Sequence, residues 1–330
     1  MNFTFLIGNG FDLNLGLHTD YPSFLQYYLN EKHDNALTNA IKKDIDTWAN
    51  LEEQLGSYAG TIQEDDIDKF FSEKEELEAA LLRYLRKESE HKLIIDSNGP
   101  QEFRDKIVNF FAQLTNEERE HYNQQLKRIS EAIVYNFISF NYTLYLDIII
   151  EKSKKVDPFS FHTSGSTSYY DHIQSPLHIH GTIYNEMILG VNDESQIEAE
   201  KPHSYLTKYL VKPIINSALG NQNITQARNI IDKSRYICVY GMSLGMTDRD
   251  WWVYITEWLQ KSPDNRLILF MHDKSNRSPI GSQAARMQDV IRRRFLAISG
   301  KLEEFNKLSQ QIIVRFNSAL FSFEHIKLEA

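Results

Sequence analysis

Several short segments carry residue types that do chemistry, and each sits where a strand is expected to end. Gly8-Asn9-Gly10-Phe11-Asp12 follows an apolar run. Closely spaced glycines let a backbone approach a ligand, and the N–H groups after them can face an anion such as a phosphate. A dinucleotide fingerprint would place a third glycine three positions further on, where Leu13 stands. The segment therefore reads either as a phosphate loop or as a plain strand-to-helix turn. In Ser139-Phe140-Asn141-Tyr142-Thr143, the Asn141 amide offers both a donor and an acceptor to a ribose hydroxyl, or else it simply forms a turn.

His178-Ile179-His180-Gly181 places two histidines on one face of a strand, with Ile179 opposite. An imidazole at a strand end can act as a general base near neutral pH. Two such rings can also share a metal ion, with His162, His172 or Asp193 as conceivable third ligands, or be satisfied structural groups. Gly190-Val191-Asn192-Asp193 closes a further candidate strand. Tyr240-Gly241-Met242-Ser243-Leu244-Gly245 leads to Asp248, a candidate helix N-cap, so Gly241 and Ser243 offer a second phosphate or ribose contact. In the helical segment around Trp48 and Leu51, Glu52 lies one position off the apolar stripe, facing either inward or into solvent.

These residues need a scaffold that gathers strand ends. Candidate strands cover residues 3–7, 135–140, 159–162, 177–180, 187–191, 236–240, 267–271 and 312–316. Candidate helices in the second half cover 205–219, 224–233, 248–261 and 281–296. Alternating strands and helices predict an α/β, Rossmann-like fold with a largely parallel sheet. Residues 1–19 and 135–330 would form the nucleotide-binding domain. Residues 20–134 would form a helical insertion after the first strand. In such a sheet the strand ends collect along one edge, so the motifs can converge on one pocket.

Composition narrows the class. The chain has 330 residues, 42% of them hydrophobic and 25% charged, which excludes a disordered, fibrous or disulfide-stapled protein. The single cysteine, Cys238, lies in an apolar run and reads as a buried, inert thiol. It permits no internal disulfide, which fits a cytoplasmic location. No apolar run is long enough for a membrane span, and the N-terminus shows no secretory signal. The formal net charge of −9 argues against a general nucleic-acid binder.

Together the motifs resemble the bacterial abortive-infection AbiH family. The resemblance rests on Leu6-Ile7-Gly8-Asn9-Gly10-Phe11-Asp12-Leu13 with Gly16-Leu17, on Tyr21-Pro22-Ser23-Phe24, and on Trp48 with Leu51-Glu52. It continues through Ser139-Phe140-Asn141-Tyr142-Thr143, His178-Ile179-His180-Gly181, Leu189-Gly190-Val191-Asn192-Asp193 and Tyr240-Gly241-Met242-Ser243-Leu244 with Asp248. It spans residue 5 to about residue 250. That family is in turn distantly similar to the sirtuin-type NAD-binding fold.

The resemblance implies roles. Gly8, Asn9 and Gly10 would cradle phosphate, with Phe11 and Asp12 following where sirtuins carry Ile-Ser. Asn141 would orient ribose or water and His180 would be the catalytic base. Gly241 and Ser243 would contact the dinucleotide, and Asp193 or Asp12 would stabilise a cationic ribose. The zinc-binding cysteine pairs of deacetylating sirtuins are missing, so no metal is expected. The resulting expectation is an antiphage protein that binds NAD and hydrolyses it to nicotinamide and ADP-ribose. One alternative is a nucleotide-binding sensor that meets a phage or host trigger protein. Another is a metal-dependent nuclease or phosphodiesterase built on His178, His180 and Asp193. The helical stretch 60–132 has enough apolar surface for a homo-oligomer interface.

Overall fold

The computed structural model describes residues 1–31, 33–198, 203–273 and 281–329. Among the described residues ten strands follow in chain order: β1 (Asn2–Ile7), β2 (Leu93–Ile95), β3 (Val134–Ser139), β4 (Ser160–Ser164), β5 (Thr167–Ile173), β6 (Leu177–His178), β7 (Ser234–Tyr240), β8 (Arg266–Met271), β9 (Ile312–Phe316) and β10 (Ile326–Leu328). The main sheet runs β4-β5-β3-β1-β7-β8-β9, with β6 also paired to β3. All its pairings are parallel except β4 with β5. β5 pairs with the start of β3 and β6 with its end, so the two behave as one interrupted strand. Counted along the parallel part, the strands lie third, second, first, fourth, fifth, sixth. This is the doubly wound order, whose direction reverses between β1 and β7.

The sequence explains why these strands are central. Phe3 and Phe5 of β1, Tyr236 and Cys238 of β7, and Ile268 and Phe270 of β8 are buried on one face. Leu6, Ile237, Val239, Leu267 and Leu269 are buried on the other. A strand that is apolar on both faces needs helices on both sides, which is what parallel sheets have. The first face is covered by helices Gly99–Val108, Asn116–Leu126 and Tyr145–Ser153, through Phe103, Ile107, Tyr122 and Ile149. The second is covered by Asn223–Asp232, Arg249–Lys261 and Gly281–Ile298. Cys238 is a free, buried thiol on β7, and burial pushes its ionisation well up.

A separate core is built by helices Tyr21–Asn30, Ala36–Lys43, Leu51–Gly60 and Ile67–Glu88. A later stretch completes it, with Ile183, Leu189, Val191, Ile197, Leu206, Leu210 and Val211. Within the stretch 20–134, helices Gly99–Val108 and Asn116–Leu126 belong instead to the sheet's own core. Among the described residues no helix is long and apolar enough to cross a membrane.

Three expected elements differ. Residues 187–191 form no strand: Leu189 and Val191 are buried against the helical core, and only an isolated bridge joins Val191 to Val211. A buried apolar run looks the same whether a sheet or helices bury it. The helix expected over 205–219 splits at Val211 into Ser204–Leu210 and Lys212–Ala218. Pro213 has no N–H to continue the first helix and suits the first turn of the second. The main chain at the break bonds to Val191 instead: Val191 N–H donates to the Leu210 carbonyl (2.9 Å) and Lys212 N–H to the Val191 carbonyl (2.8 Å). The strand expected over 177–180 ends at His178. Strand β5 and the small antiparallel ribbon of β2 with β10 were not expected.

Candidate functional site

The turns after β1 and β7 meet backbone to backbone at the point where the strand order reverses. Gly8 N–H donates to the Tyr240 carbonyl and Gly10 N–H to the Gly241 carbonyl, both at 2.9 Å. A Cβ on Gly10 would lie 2.5 Å from Gly241 Cα, and Gly241 itself has φ +71°. These glycines are therefore required by close packing, whether or not a ligand approaches. Their two N–H groups are used within the fold. Phe11 is fully buried, edge-on to Phe321 at 5.2 Å, so it is a core residue. Ser243 is exposed.

The ends of β1 and β3 bring Asp12 and Asn141 together. Asn141 Nδ2 donates to Asp12 Oδ1 (3.1 Å), and Thr143 Oγ1 donates to Asp12 Oδ2 (2.6 Å). Burial nevertheless pushes the Asp12 carboxyl up to about 6, against the lowering effect of these donors. His178 stands behind them. Its Nδ1 bonds the Asn141 carbonyl (2.8 Å) and its Nε2 the Asp147 carboxylate (3.0 Å), so both ring nitrogens are engaged.

His180 is in the opposite situation. It is buried, and neither ring nitrogen has a partner. Burial, with Lys212 nearby, holds its protonation well below the usual histidine range, so the ring is neutral. It packs edge-on against Phe140, which packs on Trp251. It lines a cavity of about 430 Å³ together with Asn192, Asn216, Arg228, Asp250 and Trp251. Asn216 is buried, and its Nδ2 donates to the Ile179 carbonyl (3.3 Å), which leaves Oδ1 without a partner. Buried polar atoms without partners are rare because each costs free energy. Among the described residues, Asn141 Oδ1, both His180 nitrogens and Asn216 Oδ1 share this edge of the sheet; the others, Ser89 Oγ, His121 Nε2 and Tyr236 Oη, lie elsewhere. Groups left open in this way are what a ligand would satisfy.

A buried ion pair adjoins the cavity lining along the chain, because Lys212 directly precedes Pro213. Lys212 Nζ lies 2.6 Å from Glu52 Oε1, and Tyr21 Oη donates to the same oxygen at 2.8 Å. Glu52 thus faces inward from the helical core, and Lys212 opens the helix that carries Asn216. Asp248 shares this neighbourhood but makes no capping hydrogen bond with its side chain. Burial pushes its carboxyl up to about 7, opposed by Lys212 and reinforced by Glu52. A carboxyl raised on folding favours the fold at low pH, and that contribution is lost as pH rises through about 7. Asp12 adds an effect of the same sign near 6. The melting temperature is thus expected to fall between pH 5 and 8, with Asp248→Asn removing roughly 2–4 °C of that fall. Calorimetry of both proteins across this range measures it.

Asp193 takes a structural position. Its side chain accepts from Ser195 N–H (2.9 Å) and caps the short turn Glu194–Gln196, and the Ser195 hydrogen bonds hold its carboxyl below the usual range. The neighbouring Asn192 reaches the cavity instead, with its backbone N–H fixed by Gln196 Oε1 (2.7 Å). His162 pairs with Asp171 on β4–β5 (2.9 Å), and His172 is exposed on β5. Among the described residues no three His, Cys, Asp or Glu side chains gather as a metal-binding group. Sequence reasoning missed Asn216 and Lys212, for which the signal was a lysine directly before a proline in an otherwise helical run, and in Gly190-Val191-Asn192-Asp193 it gave a role to Asp193 and none to Asn192.

No curated protein matches the chain. A family model does, over residues 4–270, which takes in both glycine turns, Asp12, Asn141, both histidines and the Glu52–Lys212 pair. The chain belongs to the bacteriophage abortive infection AbiH family.

Proposed function

We propose that this abortive-infection protein binds NAD at the carboxyl edge of its sheet and hydrolyses it to nicotinamide and ADP-ribose. The observation that carries the reading is His180: a neutral imidazole, buried on a cavity, with both nitrogens free. The doubly wound strand order supports it, because dinucleotides bind beyond the strand ends of such sheets.

In the reaction the bond between nicotinamide and ribose C1′ breaks, and its electron pair leaves with nicotinamide. Positive charge develops on the ribose. A water oxygen bonds to C1′ and gives up its proton, which the free lone pair of His180 accepts. The open Asn141 and Asn216 carbonyl oxygens hold hydroxyl or amide hydrogens of the substrate. Asp250, half-buried on the cavity, faces the developing cation. NAD depletion would give abortive infection its effect, and a trigger of phage or host origin would set its timing.

The test is nicotinamide release from NAD by the purified chain, with and without a chelator. Release that persists with chelator is expected, since no step uses a metal. Tight NAD binding without release would make the protein a nucleotide-binding sensor. Neither binding nor release would overturn the reading.

A further inference from the structure

Asn141 is held on three sides. Its backbone N–H donates to Ser139 Oγ (3.2 Å), its carbonyl accepts from His178 Nδ1 (2.8 Å), and its Nδ2 donates to Asp12 Oδ1 (3.1 Å). The side-chain Oδ1, the one acceptor of the side chain, is buried without a partner. An asparagine amide can ordinarily turn over and exchange its donor and acceptor ends. Here it cannot do so freely. An ionised carboxylate only accepts, so it takes the NH₂ end and rejects the carbonyl end. The other Asp12 oxygen is occupied by Thr143, which fixes the carboxylate in turn.

We propose that Asp12 is a positioning residue that locks Asn141 with its carbonyl oxygen toward the ligand, so that Oδ1 at position 141 accepts from a hydroxyl group. The hydroxyl is that of a sugar or of a water. This rests on the reading that NAD or its product occupies the site. It separates Asp12 from any direct contact with phosphate, and it makes the turn after β1 act through β3.

The test compares wild type with Asp12→Asn, Asn141→Asp and the double exchange Asp12→Asn/Asn141→Asp. With an amide at position 12, both orientations of Asn141 become allowed. With the single change Asn141→Asp, two carboxylates face each other. In the exchange, the amide at position 12 donates and the carboxylate at position 141 offers only acceptors. ADP-ribose affinity, read by calorimetry, is expected to fall about tenfold in each single variant, the loss of one hydrogen bond to a hydroxyl, and to recover in the exchange. A fall in affinity identifies a sugar hydroxyl. Unchanged affinity with a tenfold fall in the kcat of nicotinamide release, at constant KM, identifies water. An exchange no better than Asn141→Asp in both readouts overturns the proposal.

A ligand-free readout stands apart from the NAD reading. The side-chain NH₂ resonances of Asn141 are expected to titrate with a midpoint near 6, following Asp12, and to stop doing so in Asp12→Asn. The other titratable groups facing Asp12 are His178 and Tyr145, and both are retained in that variant. Resonances that do not respond overturn the positioning role whether or not a ligand binds. Resonances that respond in a protein that binds neither NAD nor ADP-ribose leave Asp12 in its role and overturn the NAD reading.

Discussion

His180→Ala should abolish nicotinamide release while leaving the fold nearly as stable as before. A positioned general base contributes on the order of 10²–10⁴ in rate, so release should drop at least about 100-fold. Most buried histidines would take stability with them, because their ring nitrogens hold hydrogen bonds that the variant breaks. His180 holds none, and its ring already borders a cavity, so the change removes chiefly the edge contact with Phe140. The melting temperature is expected to move by no more than about 2–4 °C. Release at the wild-type rate from the variant would remove His180 from the reaction. A large loss of stability would mean that the ring is a structural group.

Lys212→Met should give the largest loss of stability. The Lys212 side chain is 2% exposed and that of Glu52 is 12% exposed, so neither can be rescued by solvent. Removing one member of a buried pair leaves an uncompensated charge, which costs about 3–5 kcal/mol. Glu52 would keep only the Tyr21 hydroxyl, and Asp248 would lose the positive charge that opposes the rise of its carboxyl. The double variant Lys212→Met/Glu52→Gln should recover most of the loss, because no lone charge remains. Chemical denaturation of the two single variants and the double one measures the coupling. A cost below about 1 kcal/mol for Lys212→Met would place the pair among solvated surface bridges.

The fold class was legible because its strands are apolar on both faces and end in glycine turns. Phe3 to Ile7 and Tyr236 to Tyr240 read as buried strands, and they lie side by side at the centre of the sheet. What was hidden depended on partners distant in sequence. Residues 187–191 carry the same apolar signal as a strand, yet their burial comes from helices more than a hundred residues earlier. The ribbon of β2 and β10 has three residues per strand, too few for a period to show.

Asn141 and His180 were singled out from their places after strands, and the structure leaves buried side-chain atoms of both without partners. The glycine loop was singled out by its spacing, but its packing on Gly241 is a fact about three-dimensional closeness that spacing does not carry. Asp193 looked acidic and available; only its local bond to Ser195 shows that it caps a turn. Glu52 could be read facing either way because its partner, Lys212, lies 160 residues along the chain.

The helical core has a consequence for any attempt to dissect this protein. Its wall is supplied by two separate lengths of chain, residues 21–88 and residues 183–211. Excising the first would leave Leu189, Val191, Leu206 and Leu210 bare, and the first alone would lack the side that those residues close. The layer is therefore not a cassette. A graft from one relative into another would have to carry both lengths at once, and the second ends one residue before Lys212, the partner of Glu52 in the first.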